Sequence, residues 1–235
     1  MDLTTEQRNF CDSLLGEHMH KDYTLDIPVS EEFTLPNFKV RKGVLRPEKT
    51  SGLHFTHYLA QNPHHYKGKR VFDMGSGSGI QTIVMGLKGA EHITASDILP
   101  EAYQNTLDNV RSFDLSDRVD VFQGDLFEKI SKDKFDFGVF NHPFWPGSPS
   151  PKYPVTKSWR DEGSLLKRFL KEASTRINPG GYIIMPFFSL AGDTNNPEIQ
   201  APLEGYKVDL LHSNKITYHN FYKMDFSIFK LTPSQ

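Results

Sequence analysis

One cysteine, Cys11, stands in the whole chain of 235 residues. It leaves no intramolecular disulfide and no Cys-rich zinc site, which suits a reducing compartment. A basic surplus is missing as well: 27 basic against 29 acidic side chains disfavour an extended phosphate backbone as partner. No apolar run approaches the length that spans a bilayer, and Met1-Asp2-Leu3-Thr4-Thr5-Glu6 has no basic lead into an apolar stretch. His18 with His20, and His64 with His65, lack the Cys or carboxylate spacing of a metal set and read as polar surface pairs. The expectation is a cytoplasmic, unprocessed protein with no membrane and no metal. There is no internal repeat and no low-complexity segment. What remains is long enough for one α/β core over residues 46–235, with an N-terminal extension over 1–45.

Thr4-Thr5-Glu6-Gln7 reads as a helix start, with Phe10, Leu14 and Leu15 on one face. Between Tyr23 and Val44, apolar residues lie among prolines and charges, which predicts short strands or extended segments. Ser51 caps a helix through Leu53, Tyr58 and Leu59 that ends before Pro63. From Gly68 onward strand, turn and helix alternate. Strands are expected at 70–74, 93–96, 119–122 and 135–140, and helices at 80–87 and from Pro100. Leu165, Leu166, Phe169, Leu170, Ala173 and Ile177 form a helical stripe stopped by Asn178-Pro179-Gly180-Gly181, before a strand over 182–187. This alternation implies a parallel sheet covered on both faces. Segments 206–211 and 221–231, with no long helical stretch between them, read as a terminal antiparallel pair. The loop Trp145–Trp159 follows a strand end, where open α/β sheets bind ligands.

Asp73-Met74-Gly75-Ser76-Gly77-Ser78-Gly79 places three glycines at alternate positions between a strand and a helix. Glycine there permits positive φ and close approach of a ligand to the backbone. A dinucleotide fingerprint needs glycine or alanine at its sixth position, which here is Ile80, so a pyrophosphate is disfavoured. Asp97 ends the next strand, placed to accept hydrogen bonds from ribose hydroxyls. Asp125, in Gly124-Asp125-Leu126-Phe127, follows the strand after that, placed to accept from an adenine amino group. Two acids near one loop suit a cationic sulfonium ligand better than a diphosphate; each acid alone is more simply a cap or a solvated turn residue, but three at successive strand ends are hard to explain that way.

Together with Ala95-Ser96-Asp97-Ile98 and an Asn-x-Pro-aromatic tetrapeptide, these segments resemble the class I methyltransferases, over about Val44 to Phe187. Within them the chain is similar to the branch of the release-factor glutamine methyltransferases and the small-domain ribosomal RNA methyltransferases. The resemblance implies a Rossmann-like fold: a mostly parallel seven-stranded sheet, helices on both faces, and an antiparallel C-terminal pair. It implies S-adenosyl-L-methionine as cofactor, with Asp73, Gly75, Gly77 and Gly79 beside its methionine part, Asp97 and Ile98 at the ribose, Asp125 and Leu126 at the adenine, and Asn141 against it. Val44-Leu45-Arg46-Pro47-Glu48-Lys49-Thr50 looks like the Arg-Pro-x-x-Thr segment of the glutamine-modifying members, and Asp161-Glu162-Gly163 like their acidic turn, for which helix capping is the simpler use.

In that family Asn-Pro-Pro-Tyr/Phe holds a planar NH2 by the Asn side chain and the following carbonyl, and aims its lone pair at the methyl carbon. Here the tetrapeptide is Asn141-His142-Pro143-Phe144. The imidazole at the second position is either a general base or a structural group at the strand end, the latter ahead. Trp145 and Trp159 either line a substrate pocket or anchor their loop. The leading expectation is methyl transfer to a nitrogen of a protein side chain or small molecule. An RNA base amine is the alternative, and a non-catalytic methyltransferase-like partner subunit is the third reading.

Overall fold

The computed structural model describes residues 20–218 and 222–234, together with residues 4, 5, 9, 15, 16 and 18. Glu6, Gln7, Phe10 and Leu14 of the expected N-terminal helix lie outside the described residues, whereas Leu15 packs against the main core. The expected extended segments form an antiparallel hairpin, β1 (Tyr23–Ser30) and β2 (Phe33–Val40), which is a sheet of its own. Helix α1 (Ser51–Gln61) follows. Its cap is Thr50, whose hydroxyl accepts from the Gly52 N–H, and not Ser51: Thr50 has the extended backbone that lets a side chain turn back on the first turn.

The main sheet has seven strands in the order β10-β11-β9-β6-β3-β4-β5. Parallel pairing joins β3 (Arg70–Met74), β4 (His92–Asp97), β5 (Val119–Gln123), β6 (Phe135–Phe140) and β9 (Ile177–Phe188). Helices α2 (Ile80–Leu87) and α3 (Pro100–Ser112) connect β3 to β4 and β4 to β5, while α4 (Ser164–Ser174) connects β6 to β9. Right-handed crossovers running outward in both directions from β3 and β6 place these helices on opposite faces. The chain order reverses between β3 and β6, so the C-terminal ends of that pair frame the crevice where doubly wound sheets take ligands. A two-residue parallel ribbon of β7 (Trp145–Pro146) and β8 (Arg160–Asp161) stands over those ends.

Both faces of the central strands are filled, as their continuous apolar runs require. Phe72 on β3 meets Phe127, Phe135 and Phe169 edge to face at 5.2, 5.4 and 6.0 Å. Gly138 on β6 is its direct neighbour, and a Cβ there would lie 2.1 Å from Phe72 Cζ. Glycine is needed at 138 because the ring already occupies that space.

Two expectations change at the C-terminal half. Ile177 belongs to β9 and not to the helix, which ends at Ser174. Its spacing from Ala173 suits a helical stripe equally well, but pairing with Phe135 buries it in the sheet. Residues 178–181 are an irregularity inside β9, since Phe135 pairs with Ile177 while Phe137 pairs with Tyr182; Asn178 Nδ2 donates to Asp136 Oδ1 across it at 2.8 Å. A short helix not foreseen, α5 (Pro197–Leu203), is capped by Asn196 and precedes the long terminal pair β10 (Tyr206–Tyr218) and β11 (Tyr222–Pro233). Among the described residues no helix is long and apolar enough to cross a membrane.

The hairpin is fastened to the sheet by two buried amides on one face of α3. Asn109 accepts from Lys39 N–H at 3.0 Å and donates to Lys39 and Ser78 carbonyls, both at 2.9 Å. Asn105, one turn earlier, accepts from Arg41 N–H at 2.7 Å and donates to the Lys39 carbonyl at 2.9 Å. Each replaces a missing strand neighbour of β2. Asn109→Ala removes the side-chain acceptor of the Lys39 N–H and leaves the Ser78 carbonyl with only the longer bond from Asn105 Nδ2, 3.4 Å, at a cost of roughly 1–3 kcal/mol. Chemical denaturation should register that loss; a midpoint equal to that of the unaltered protein would show that the amide fastening carries no weight.

Candidate functional site

The glycine loop begins where β3 ends, and the tetrapeptide Asn141–Phe144 begins where the adjacent β6 ends. A cavity of about 380 Å³ lies between them. Its wall includes Gly75, Gly77, Asp97, Ile98, Asp125 and Leu126, and all four residues of the tetrapeptide. Asp73 and Gly79 are not in that wall. Asp73 lies fully buried beneath the loop, where Thr82 Oγ1 donates to its Oδ2 at 2.5 Å. Burial raises its carboxyl to about 7, against the pull of the two Thr82 donors. Gly79 instead permits close packing on α3: a Cβ there would lie 3.1 Å from Thr106 Cα.

Asp97 is the tie between loop and sheet. Its Oδ2 accepts from the Gly77 N–H and its Oδ1 from the Leu99 N–H, both at 2.9 Å. Burial pushes its carboxyl up, and the backbone donors of Leu99, Gly77 and Ile98 hold it back. Gly77 has φ +59°, and a Cβ on it would meet only the Gly75 carbonyl, at 3.9 Å. The loop therefore presents bare backbone to the cavity with a carboxylate behind it. Ile98 is 45 % exposed at the rim. Asp125 is ion-paired with Arg168 of α4 at 2.6 Å, a partner 43 residues away that no local pattern reveals.

His142 is 2 % exposed. Burial holds its imidazole down at about 4, although the carbonyls of Asn195 and Phe140 oppose the shift. A neutral ring facing the Asn195 carbonyl at 2.8 Å must carry its proton on Nε2, which leaves Nδ1 as an acceptor. That Nδ1 is buried with no hydrogen-bond partner. Asn195 itself, fully buried, donates through Nδ2 to the carbonyls of Asp161 and Phe144 at 2.9 and 3.4 Å. The loop after β9 thus holds both the tetrapeptide and the β8 ribbon. Asp161 caps α4, accepting at 3.0 Å from each of the Gly163 and Leu165 N–H groups.

The remaining wall comes from the Val44–Thr50 segment, the loop from Trp145 to Glu162 and the N-terminal His18. Trp145 and Trp159 both line the cavity, as do Arg160 and His18. His18 and His65 are not surface residues: they are 1 % and 6 % exposed. His18 Nδ1 accepts from the Arg46 N–H at 2.9 Å, and its ring packs on Trp159 with centroids 5.7 Å apart. His65 lies between the hydroxyls of Tyr58 and Tyr182, at 3.1 and 2.8 Å. In each case the ring finds partners from distant elements, which pairing along the chain does not disclose.

A family model described as methyltransferase small domain matches residues 54–187. Among curated proteins, the chain is 28 % identical over 179 residues to a putative protein N5-glutamine methyltransferase of Methanocaldococcus jannaschii, covering 74 % of this chain and 89 % of that protein. It is 36 % identical over 112 residues to a release factor glutamine methyltransferase of Aquifex aeolicus, covering 46 % and 39 %. To a tRNA1(Val) (adenine(37)-N6)-methyltransferase of Actinobacillus pleuropneumoniae it is 33 % identical over 82 residues, covering 34 % and 35 %. The latter two matches therefore span well under half of those proteins. Solved structures share the fold: a precorrin-6y C5,15-methyltransferase of Geobacter metallireducens has a TM-score of 0.56 at 15 % identity, covering 80 % of this chain and 92 % of that one. A ribosomal protein L11 methylase of Lactobacillus delbrueckii subsp. bulgaricus has a TM-score of 0.54 at 18 % identity, covering 77 % and 80 %.

Because the folded state favours neutral His142, its contribution to stability is complete above the ordinary pKa of 6.5 and is lost as pH falls toward about 4. The loss is up to about 1.4 kcal/mol per pH unit in that window. Isotope-edited magnetic resonance of the imidazole should show it uncharged, with the proton on Nε2, at pH 5. A titration centred near 6.5 would contradict the burial argument.

Proposed function

This chain belongs to the methyltransferase small domain family, and on that premise we propose that it transfers the methyl group of S-adenosylmethionine to a nitrogen held beside Asn141. The observation that carries the reading is the shared cavity: the glycine loop, Asp97 and Asn141–Phe144 all open onto one space at adjacent strand ends. Those residues fit the cofactor. Bare backbone at Gly77 leaves room for it, and the Asp97 carboxylate keeps acceptor capacity for ribose hydroxyls beyond its two backbone donors. When bound, it supplies an electrophilic methyl on a sulfonium. Carboxylates at 97 and 125 suit that positive charge better than they suit a diphosphate, although Asp125 is already matched by Arg168.

Methyl transfer of this kind depends mainly on orientation. In the proposed arrangement the Asn141 side chain accepts from the nucleophile's N–H, and Phe144 offers a ring to a planar acceptor. His142 serves as a structural group. Its Nε2–H is committed to Asn195, and an imidazole held at about 4 is a weak base near neutrality. A protein amide or a small molecule stands ahead of a nucleobase, since the net charge of −2 supplies no surplus for phosphate.

Asp97→Ala should weaken S-adenosylmethionine binding by roughly 1–3 kcal/mol, as loss of charge-assisted hydrogen bonds implies. Calorimetry with unchanged affinity would remove Asp97 from the site. In single-turnover assays with labelled cofactor against fractionated protein, metabolite and RNA pools, Asn141→Ala should lose at least about a hundredfold in rate while cofactor affinity stays within a few fold. His142→Pro should retain substantial activity; a pH–rate limb near the imidazole pKa that disappears in this variant would restore the general base.

A further inference from the structure

Three residues of the cavity wall, at and beside β8 and in the N-terminal segment, each carry a buried nitrogen donor with no partner among the described residues. They are Arg160 Nε, Trp159 Nε1 and His18 Nε2. Arg160 and Trp159 are chain neighbours, the His18 ring packs on Trp159, and all three residues line the cavity. Because His18 Nδ1 takes the Arg46 N–H, the free proton of its neutral ring is on Nε2, so this nitrogen donates. Trp159 Nε1 only donates, and so does the Arg160 guanidinium.

The acids beside Arg160 are engaged elsewhere. Asp161 accepts from the first turn of α4, and Glu162 accepts from the Ser148 hydroxyl. Arg160 forms no ion pair with a described residue. A buried donor left unpaired carries its full desolvation cost, and a partly buried guanidinium carries more. One anionic group with several acceptor sites would relieve all three. A carboxylate is such a group, and a planar guanidinium matches its two oxygens.

We propose that this side of the cavity binds a carboxylate through Arg160, Trp159 and His18, so that the methyl acceptor is a small nitrogen compound bearing a carboxylate. All three residues line the cavity shared by the glycine loop and Asn141–Phe144, which favours a free compound over a side chain on a folded partner. This rests on the methyl-transfer reading of the same site, whose Asn141–Phe144 end it adjoins through the Asn195 bridge between Phe144 and Asp161.

The test uses the full chain saturated with S-adenosylhomocysteine. Ligand-observed magnetic resonance and calorimetry compare aminobenzoates, pyridine carboxylates and imidazole acetates with their methyl esters, and with phenyl phosphate. At least one acid should bind tenfold or more tighter than its ester. R160M should erase that preference, and W159F, which keeps a ring but loses the N–H, should reduce it several fold. R160K, which keeps charge without the planar fork, should retain part of it. S-adenosylhomocysteine affinity should move less than twofold in every variant, which also verifies folding. No acid exceeding its ester, a preference that survives R160M, or phenyl phosphate binding tighter than every acid overturns the inference. Failure of the unaltered protein to bind S-adenosylhomocysteine is a different result and removes the methyl-transfer reading itself.

Discussion

Buried backbone outside a helix or sheet must still pair its N–H and C=O groups, and much of this cavity is framed by loops whose backbone is of that kind. Side chains of Asn and Asp do the pairing. Asn105 and Asn109 serve β2 and the Ser78 carbonyl, Asp97 serves Gly77 and Leu99, Asn195 serves Asp161 and Phe144, and Asp161 serves the start of α4. Asn105, Asn109, Asp97 and Asn195 each reach segments distant in sequence, whereas Asp161 acts locally on the turn that opens α4. The cavity keeps its shape because its loops are bonded to the sheet and to each other by a few such amides and carboxylates.

The same burial controls charge. Carboxyls at 73 and 97 are pushed up and imidazoles at 18, 65 and 142 are pushed down, in every case chiefly by loss of water. Neutral histidine is consequently available as a directional hydrogen-bonding group. His142 donates its proton to the Asn195 carbonyl, and its second nitrogen is left as a buried acceptor. A Pro at that position stiffens the backbone covalently; here the fixation passes to a hydrogen bond and to packing against Phe140, Phe144 and Phe187.

The N-terminal residues complete the enclosure. His18 and Leu45 reach the cavity, and the β1–β2 hairpin is held to α3 by the two asparagines. Fold and specificity thus separate in the chain: the sheet frames the crevice, while residues before α1 and the segment from Trp145 to Glu162 shape what enters it. The family match starts at residue 54, so the N-terminal wall lies outside it while the segment from Trp145 to Glu162 lies within.

Local pattern was sufficient for the α/β core. Strands β3 and β6, helix α2 and the loop of Gly75, Gly77 and Gly79 are bounded by residues whose preferences act over a few positions, so apolar runs and turn signals locate them. Where two structures share a periodicity, as at Ile177, pattern fails and sheet pairing chooses. The acids at strand ends were visible as candidates, yet only tertiary structure separated Asp97 in the cavity wall from Asp73 beneath the loop and gave Asp125 its Arg168 partner. His18 was visible only as half of a histidine pair that reads as surface, and Arg160 and Asn195 carried no signal. Their positions depend on contacts between segments tens of residues apart, and a hydrogen bond from Arg46 to His18 or from Asn195 to Phe144 leaves no trace in spacing or composition.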